Sequence, residues 1–294
     1  MIAKALFLFF VLVSLYCISI QVVQPSLRIS LNQWQTNLVK AQNFLYTADS
    51  CRNVVVGSSL SARLDIPELC NLSFVGLSAF DGMRMLQSTD YKLDTIYIET
   101  NILLRSEDEV FTAQLTNPFL FQAKKHILAL REGKQPLAIL IKESYEGLQK
   151  LKRGNKKTVT APAAVDPALF DKLLANQVLL YSTPPTNQAL NNSMVRLHAF
   201  VKEFEERGAQ VVFFEMPVHK KLCNLPVSIS LREYMHKTFP PNRYNYIVQP
   251  DCGAYHTTDG VHLSEQEALH YLAYFQRHCS RLTSFDSVNQ LENR

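Results

Sequence analysis

Four short stretches bring together residue types that can carry nucleophilic acyl chemistry. "VVVGSSL" runs three β-branched residues into Gly57, Ser58 and Ser59, so a hydroxyl stands at the end of an apolar strand. "NLSFVGLS" puts Gly76 at the end of a second strand, and "IYIETN" puts Asn101 at the end of a third. "HTTDGVHLSEQE" holds Asp259 three residues before His262. A carboxylate on one side of an imidazole orients the ring and stabilises its protonated form, and the ring then accepts the proton of a serine hydroxyl. Backbone N–H groups of Ser59 and Gly76, with the Asn101 amide, are donors for the oxyanion that forms when a hydroxyl attacks a carbonyl. Each stretch also has a plainer reading. A serine in a strand-to-helix turn caps the helix, Gly76 serves a tight turn, and Asn101 caps its own loop. The ordered set is what favours chemistry.

Such groups need a scaffold that collects strand ends. "NVVVGSS", "NLSFVGLS", "LDTIYIETN", "AQVVFFEMPVH" and "YNYIVQP" are short apolar runs bounded by turn residues. Near-continuous apolar strands alternating with helices predict an α/β fold, a central parallel sheet covered on both faces. In such sheets, ligands sit beyond the carboxyl ends of the strands. "NNSMVRLHAFVKEFEERG" predicts a helix stopped at Gly208. Ser264 and Glu267 form a capping box, which leaves Asp259 and His262 in the loop that enters the last helix.

Composition narrows the function classes. The chain has 294 residues, 47% hydrophobic and 19% charged, enough for a real core. A net charge of +4 is too mild to argue for nucleic acid, and "KLKRGNKK" (150–157) reads as a solvated loop. No P-loop or dinucleotide-binding glycine pattern is present, so nucleotide use is not expected. No cofactor is expected, and the cysteine spacings match no metal motif. Between 105 and 190 the strand–helix rhythm is lost. This stretch reads as an insertion containing a helix ("NPFLFQAKKHILALREG"), a strand or buried helix ("PLAILI") and a Pro/Ala-rich linker ("TVTAPAAVDPA").

The N-terminus predicts a membrane helix. Ala5 to Val23 is apolar apart from Ser, Cys and Gln21, close to the roughly 20 residues that cross a bilayer. No small-x-small cleavage site follows before Pro25, so residues 1–24 read as an uncleaved signal-anchor and 25–294 as an exported domain. Five of the six cysteines lie outside the anchor. In an exported domain Cys51 with Cys70, and Cys223 with Cys252, are candidate disulfides; buried free thiols are the alternative.

The four stretches, in that order, resemble the blocks of the SGNH (GDSL) hydrolase superfamily: a Gly-Asp-Ser turn, a glycine after strand two, a Gly-x-Asn turn and a C-terminal Asp-x-x-His. The resemblance covers about half the chain. It implies an SGNH hydrolase-like, flavodoxin-like three-layer sandwich with Ser59 as nucleophile, His262 as base and Asp259 as its orienting acid. Ser59, Gly76 and Asn101 would form the oxyanion hole. The chain departs from the pattern at Ser58, where Asp is usual, and at Glu99, where Gly is usual; these two, with Glu215 and His219 after strand four, are candidate substrate contacts. The Gly-Ser-Ser block, the anchor and "DGVHLS" look like the anchored SGNH-like proteins that act beside membrane-bound O-acyltransferases in bacterial polysaccharide O-acetylation. This implies a polysaccharide acceptor, an acyltransferase partner, and placement at the bacterial inner membrane with the main domain in the periplasm. A carbohydrate esterase and a non-catalytic scaffold subunit are the alternatives.

Overall fold

The computed structural model describes residues 2–23, 32–47, 51–134 and 166–292, with side chains described as far as Cys279. They form two compact units, one from the described parts of Met1–Ala48 and Glu109–Thr160, the other from those of Asp49–Asp108 and Ala161–Arg294.

The second unit contains the sheet. Five strands, β1 (Asn53–Gly57), β2 (Cys70–Ser73), β3 (Thr95–Glu99), β4 (Gln210–Phe214) and β5 (Asn245–Tyr246), lie in the order β2-β1-β3-β4-β5. Every neighbouring pair is parallel. β1 and β3 are buried along almost their whole length because both sheet faces are covered, and their centres, "VVV" and "IYI", are apolar accordingly. On one face Val55, Tyr97, Val212 and Phe214 pack under Tyr271 and Phe275 of the final helix, and the Phe275 ring centroid approaches those of Phe214 and Tyr97 to 5.0 and 5.4 Å. On the other face, helix Ala79–Gln87 is drawn close by Gly82, where a Cβ would stand 2.8 Å from the Leu72 carbonyl and 3.0 Å from Val56. Its Phe80 meets Phe200 of helix Asn187–Glu206 at 6.2 Å. Each fully buried aromatic contributes roughly 1.5–3 kcal/mol of transfer free energy.

The helices are numbered in chain order: α1 (Ile2–Val23), α2 (Gln33–Thr47), α3 (Ala79–Gln87), α4 (Glu109–Thr116), α5 (Pro118–His126), α6 (Pro167–Ser182), α7 (Asn187–Glu206), α8 (Pro226–Thr238) and α9 (Glu265–Glu292). After β2 the chain returns to the other side of β1. A crevice therefore opens between the carboxyl ends of β1 and β3, the switch point where doubly wound sheets bind ligands.

The expected insertion 105–190 does not behave as one body. Glu109–Lys134 joins α1 and α2 in the first unit, while α6 belongs to the second. There Leu174 enters the core below the last loop, with Phe170, Val178 and Tyr181 packed against it. Part of the expected linker is the start of α6: Asp166 caps it by accepting from the Ala168 N–H at 3.0 Å, and Pro167 opens the first turn. The "PLAILI" and "KLKRGNKK" stretches lie outside the described residues.

α1 is long and apolar enough to cross a membrane: Ile2–Val22 has a mean hydropathy of 2.4. Both candidate disulfides are present, Cys51–Cys70 and Cys223–Cys252, and Cys17 and Cys279 are free thiols.

Candidate active site

Ser59 leaves β1 two residues beyond Gly57 and is half-buried. Its turn rests on an internal carboxyl. Glu99, the last residue of β3, accepts from the Ser58 N–H at 2.9 Å and the Ser58 hydroxyl at 2.7 Å. It also accepts from the Ser61 hydroxyl at 2.6 Å and the Ser61 N–H at 3.3 Å. Gly57 is what admits this carboxyl: a Cβ there would lie 2.1 Å from Ser61 Oγ and 2.6 Å from Glu99 Oε2. Glu99 is fully buried, and that burial pushes its pKa up against the opposing pull of the serine hydrogen bonds. Ser58 and Glu99 are each 1% exposed. They were expected as substrate contacts; bonded to each other below the surface, they position the turn instead. Ser61, which no sequence pattern singled out, completes the brace and bonds Ser73 of β2 at 2.8 Å.

The loop carrying Asp259 and His262 is a tight hairpin. Thr257 bridges Leu263, the Thr258 N–H donates to the His262 carbonyl at 2.8 Å, and the Ser264 N–H reaches the His256 carbonyl at 3.2 Å. Gly260 turns the tip at φ +101°, and a Cβ there would also stand 3.0 Å from Leu174 of α6. Ser264 caps α9 by accepting from the Glu267 N–H at 3.3 Å, one half of the expected box. Arg63 ties the loop down from outside by donating to the Leu263 carbonyl at 2.9 Å.

This hairpin brings Asp259 and His262 to Ser59. His262 Nδ1 lies 2.6 Å from Asp259 Oδ2, and His262 Nε2 lies 2.8 Å from Ser59 Oγ. Asp259 Oδ1 accepts from the N–H groups of Val261 and His262 at 3.0 and 2.8 Å. Burial pushes the Asp259 carboxyl up, but the His262 ring and the two backbone donors outweigh it and hold the group below the usual carboxylate range. The His262 side chain is 36% exposed, so substrate and water can reach it. The tautomer with the proton on Nδ1 leaves Nε2 to accept from Ser59.

The expected oxyanion donors stand at the same sheet edge. Gly57 pairs with Ser73 in register, so Gly76, at φ +81°, follows β2 beside the Ser59 turn. Among the described residues, neither the Ser59 N–H nor the Gly76 N–H has an acceptor. Asn101 follows β3. Its oxygen accepts from the Met216 N–H at 2.7 Å and one of its N–H groups donates to the Met216 carbonyl at 3.0 Å. Those two bonds fix the amide's orientation and leave its second N–H for a ligand.

Glu215 and His219 are placed differently from each other. Glu215 lines a cavity of about 230 Å³ over the ends of β3, β4 and β5, together with Asn101, Tyr181, Arg232 and Tyr246. Its carboxylate is engaged by Arg232 Nε at 2.9 and 3.0 Å. His219 sends its N–H to the Gly260 carbonyl at 2.8 Å, and its ring meets Phe170 edge-on at 5.9 Å. Burial, with Lys221, Lys220 and His256 nearby, lowers its pKa. It braces the hairpin. Tyr181, on α6, was not foreseen; burial, then the nearby Glu99, Glu215 and Asp259 carboxyls, pushes its phenol up to about 12 and keeps it neutral. No sequence signal marks it, because it comes from the stretch without periodicity.

The chain matches no protein-family model and no curated protein. The chemistry of the site therefore rests on its geometry. A serine hydroxyl, an imidazole and a carboxylate in hydrogen-bonded series beside unpaired backbone donors can form and break an ester.

Proposed function

We propose that the chain is an SGNH-type serine acyltransferase that passes an acyl group, acetyl, to hydroxyls of a cell-surface or secreted polysaccharide. The observation that carries this reading is the Ser59–His262–Asp259 series at 2.8 and 2.6 Å. Ser59 Oγ attacks the carbonyl of the acyl donor while its proton passes to His262 Nε2. The oxyanion is held by the N–H groups of Ser59 and Gly76 and the spare N–H of Asn101. Collapse expels the donor's leaving group, which takes the proton from His262, and leaves an ester on Ser59. An acceptor hydroxyl then gives its proton to His262 and attacks that ester, and a second collapse returns the proton to Ser59. Asp259 stays ionised and holds the ring throughout.

The two departures from the SGNH pattern support the reading when taken together. A carboxyl is missing at position 58 and gained at 99, and Ser58 and Glu99 are bonded to each other. The Glu99 carboxyl thus sits beneath the turn that presents Ser59. An exported setting, the bacterial inner membrane with the main domain in the periplasm, is supported by the apolar α1 and by two disulfides, which persist in oxidising compartments. A membrane-bound O-acyltransferase is the proposed source of the acyl group.

Hydrolysis is the second reading, favoured by the exposure of His262: water in the acceptor position makes the same centre an esterase. The test gives the full chain in detergent an activated acetyl ester and a panel of oligosaccharides, with Ser59→Ala as control, and follows the acetyl group by mass spectrometry. Ser59-dependent acetylated sugar supports the transferase. Ser59-dependent free acetate without sugar product selects the esterase. An intact fold with no acetyl on Ser59 removes both.

A further inference from the structure

The first unit contains a surface that the chemistry above does not use. α5 buries none of its residues; Phe119 is 79% and Leu120 40% exposed. The chain that follows adds Ile127 at 42% and Leu130 at 44%. Four apolar side chains thus stand in solvent along some twelve residues, far from the pattern of an ordinary surface helix. The last turn of α5 carries Lys124, Lys125 and His126. Arg131 closes that turn, donating to the carbonyls of Lys124 and Lys125 at 2.9 and 3.2 Å with its guanidinium 4.6 Å from the Tyr46 ring.

The position of this surface is set by α1. The 3₁₀ turn Leu128–Leu130 packs on α1, and the Tyr16 hydroxyl donates to the Lys134 carbonyl. At 1.5 Å per residue, Tyr16 lies about 10 Å short of Val23 along the helix axis. When α1 spans a bilayer, the segment touching Tyr16 sits about 10 Å inside the end of the span, the depth to which interfacial helices bury their apolar side. Exposed apolar side chains there have a ready solvent, and basic residues beside them have phosphates to meet.

We propose that α5 and the turn after it lie in the membrane interface next to α1, with Phe119, Leu120, Ile127 and Leu130 in the acyl-chain boundary and the exposed Lys125 at lipid phosphates, Lys124 being paired with Glu132 at 3.7 Å. The inference rests on α1 being retained as a membrane span. The occupant is the lipid bilayer itself: the turn Leu128–Leu130 packs on the apolar α1, and apolar and basic side chains stand together on the chain that leads to it.

The test places a p-benzoyl-phenylalanine at position 119 of the full chain, reconstituted in phosphatidylcholine–phosphatidylglycerol vesicles. A second chain carries the same probe at Val195, which is 71% exposed on α7. After irradiation, mass spectrometry should find lipid adducts at position 119 at least tenfold above those at 195. Adducts to a second copy of the chain, equal lipid adducts at both positions, or none at 119 in vesicle-bound protein, overturn the inference and leave the anchor standing. Failure of the chain to sediment with the vesicles overturns the anchor and the inference with it.

Discussion

The carboxyl of Glu99 accepts both the hydroxyl and the backbone N–H of Ser58, so the end of β3 holds the turn of β1 that presents Ser59. A buried acid in this role makes the geometry of the Ser59 hydroxyl depend on a group that is itself out of reach of solvent.

Glu99→Ala should therefore cost both stability and rate. It strands the N–H groups of Ser58 and Ser61 in the core, at about 1–3 kcal/mol for each donor left unpaired. Denaturant unfolding should show the loss, with acyl transfer falling in the same variant. Glu99→Gln keeps an acceptor in place and should recover most of both.

The raised pKa of Glu99 gives a pH signature. A carboxyl whose folded pKa lies above its unfolded value contributes stability that is full below the ordinary glutamate range and is lost as pH rises through the folded value. Thermal unfolding followed from acid toward neutral pH should show this decline in the wild type and its absence in Glu99→Gln. A decline of equal size in both would assign it to another group.

Asp259 behaves in the opposite sense. Its folded pKa is depressed, so its contribution is present above the unfolded aspartate value and disappears only as pH falls through the lower folded value. Asp259→Asn removes the preference for the Nδ1–H tautomer of His262 and should lower kcat on the order of 10⁴-fold, as loss of the orienting acid does in serine triads generally. Steady-state kinetics with an activated ester would measure it, and a loss under tenfold would argue against His262 acting as the base.

Gly57→Ala inserts a methyl group 2.1 Å from Ser61 Oγ, where the Glu99 brace leaves no room to relax. The expected cost is about 1–3 kcal/mol or more from overpacking, together with loss of activity. A variant that unfolds like the wild type would show that the turn below Ser59 is looser than the hydrogen bonds require.

The cysteines allow a direct count. Alkylation of the denatured, unreduced chain should label Cys17 and Cys279, and labelling after reduction should reach all six cysteines. Opening Cys223–Cys252 releases the loop after β4 from the segment that leads to Asp259; its removal by Cys252→Ser should lower stability by about 2–4 kcal/mol.

Much of this architecture is local in origin and was legible in the sequence. The strand runs, the Gly208 stop, the Ser264 cap and the apolar span of α1 are short-range patterns of side-chain type, and periodicity and capping chemistry act over a few residues. The order of Ser59, Gly76, Asn101, Asp259 and His262 was legible for the same reason: parallel strands deliver their carboxyl ends to one edge whatever lies between them. Three things needed the tertiary structure. Ser58 and Glu99 read as substrate contacts because each alone is a polar residue at a strand end; only the β1–β3 register shows them 41 residues apart in sequence and bonded to each other. Arg232 and Tyr181 reach the cavity from helices whose own sequences give no sign of it. The stretch from 105 to 190 divides between two units because its helices find their apolar partners in distant parts of the chain, and burial of that kind is decided by packing, which no local pattern encodes.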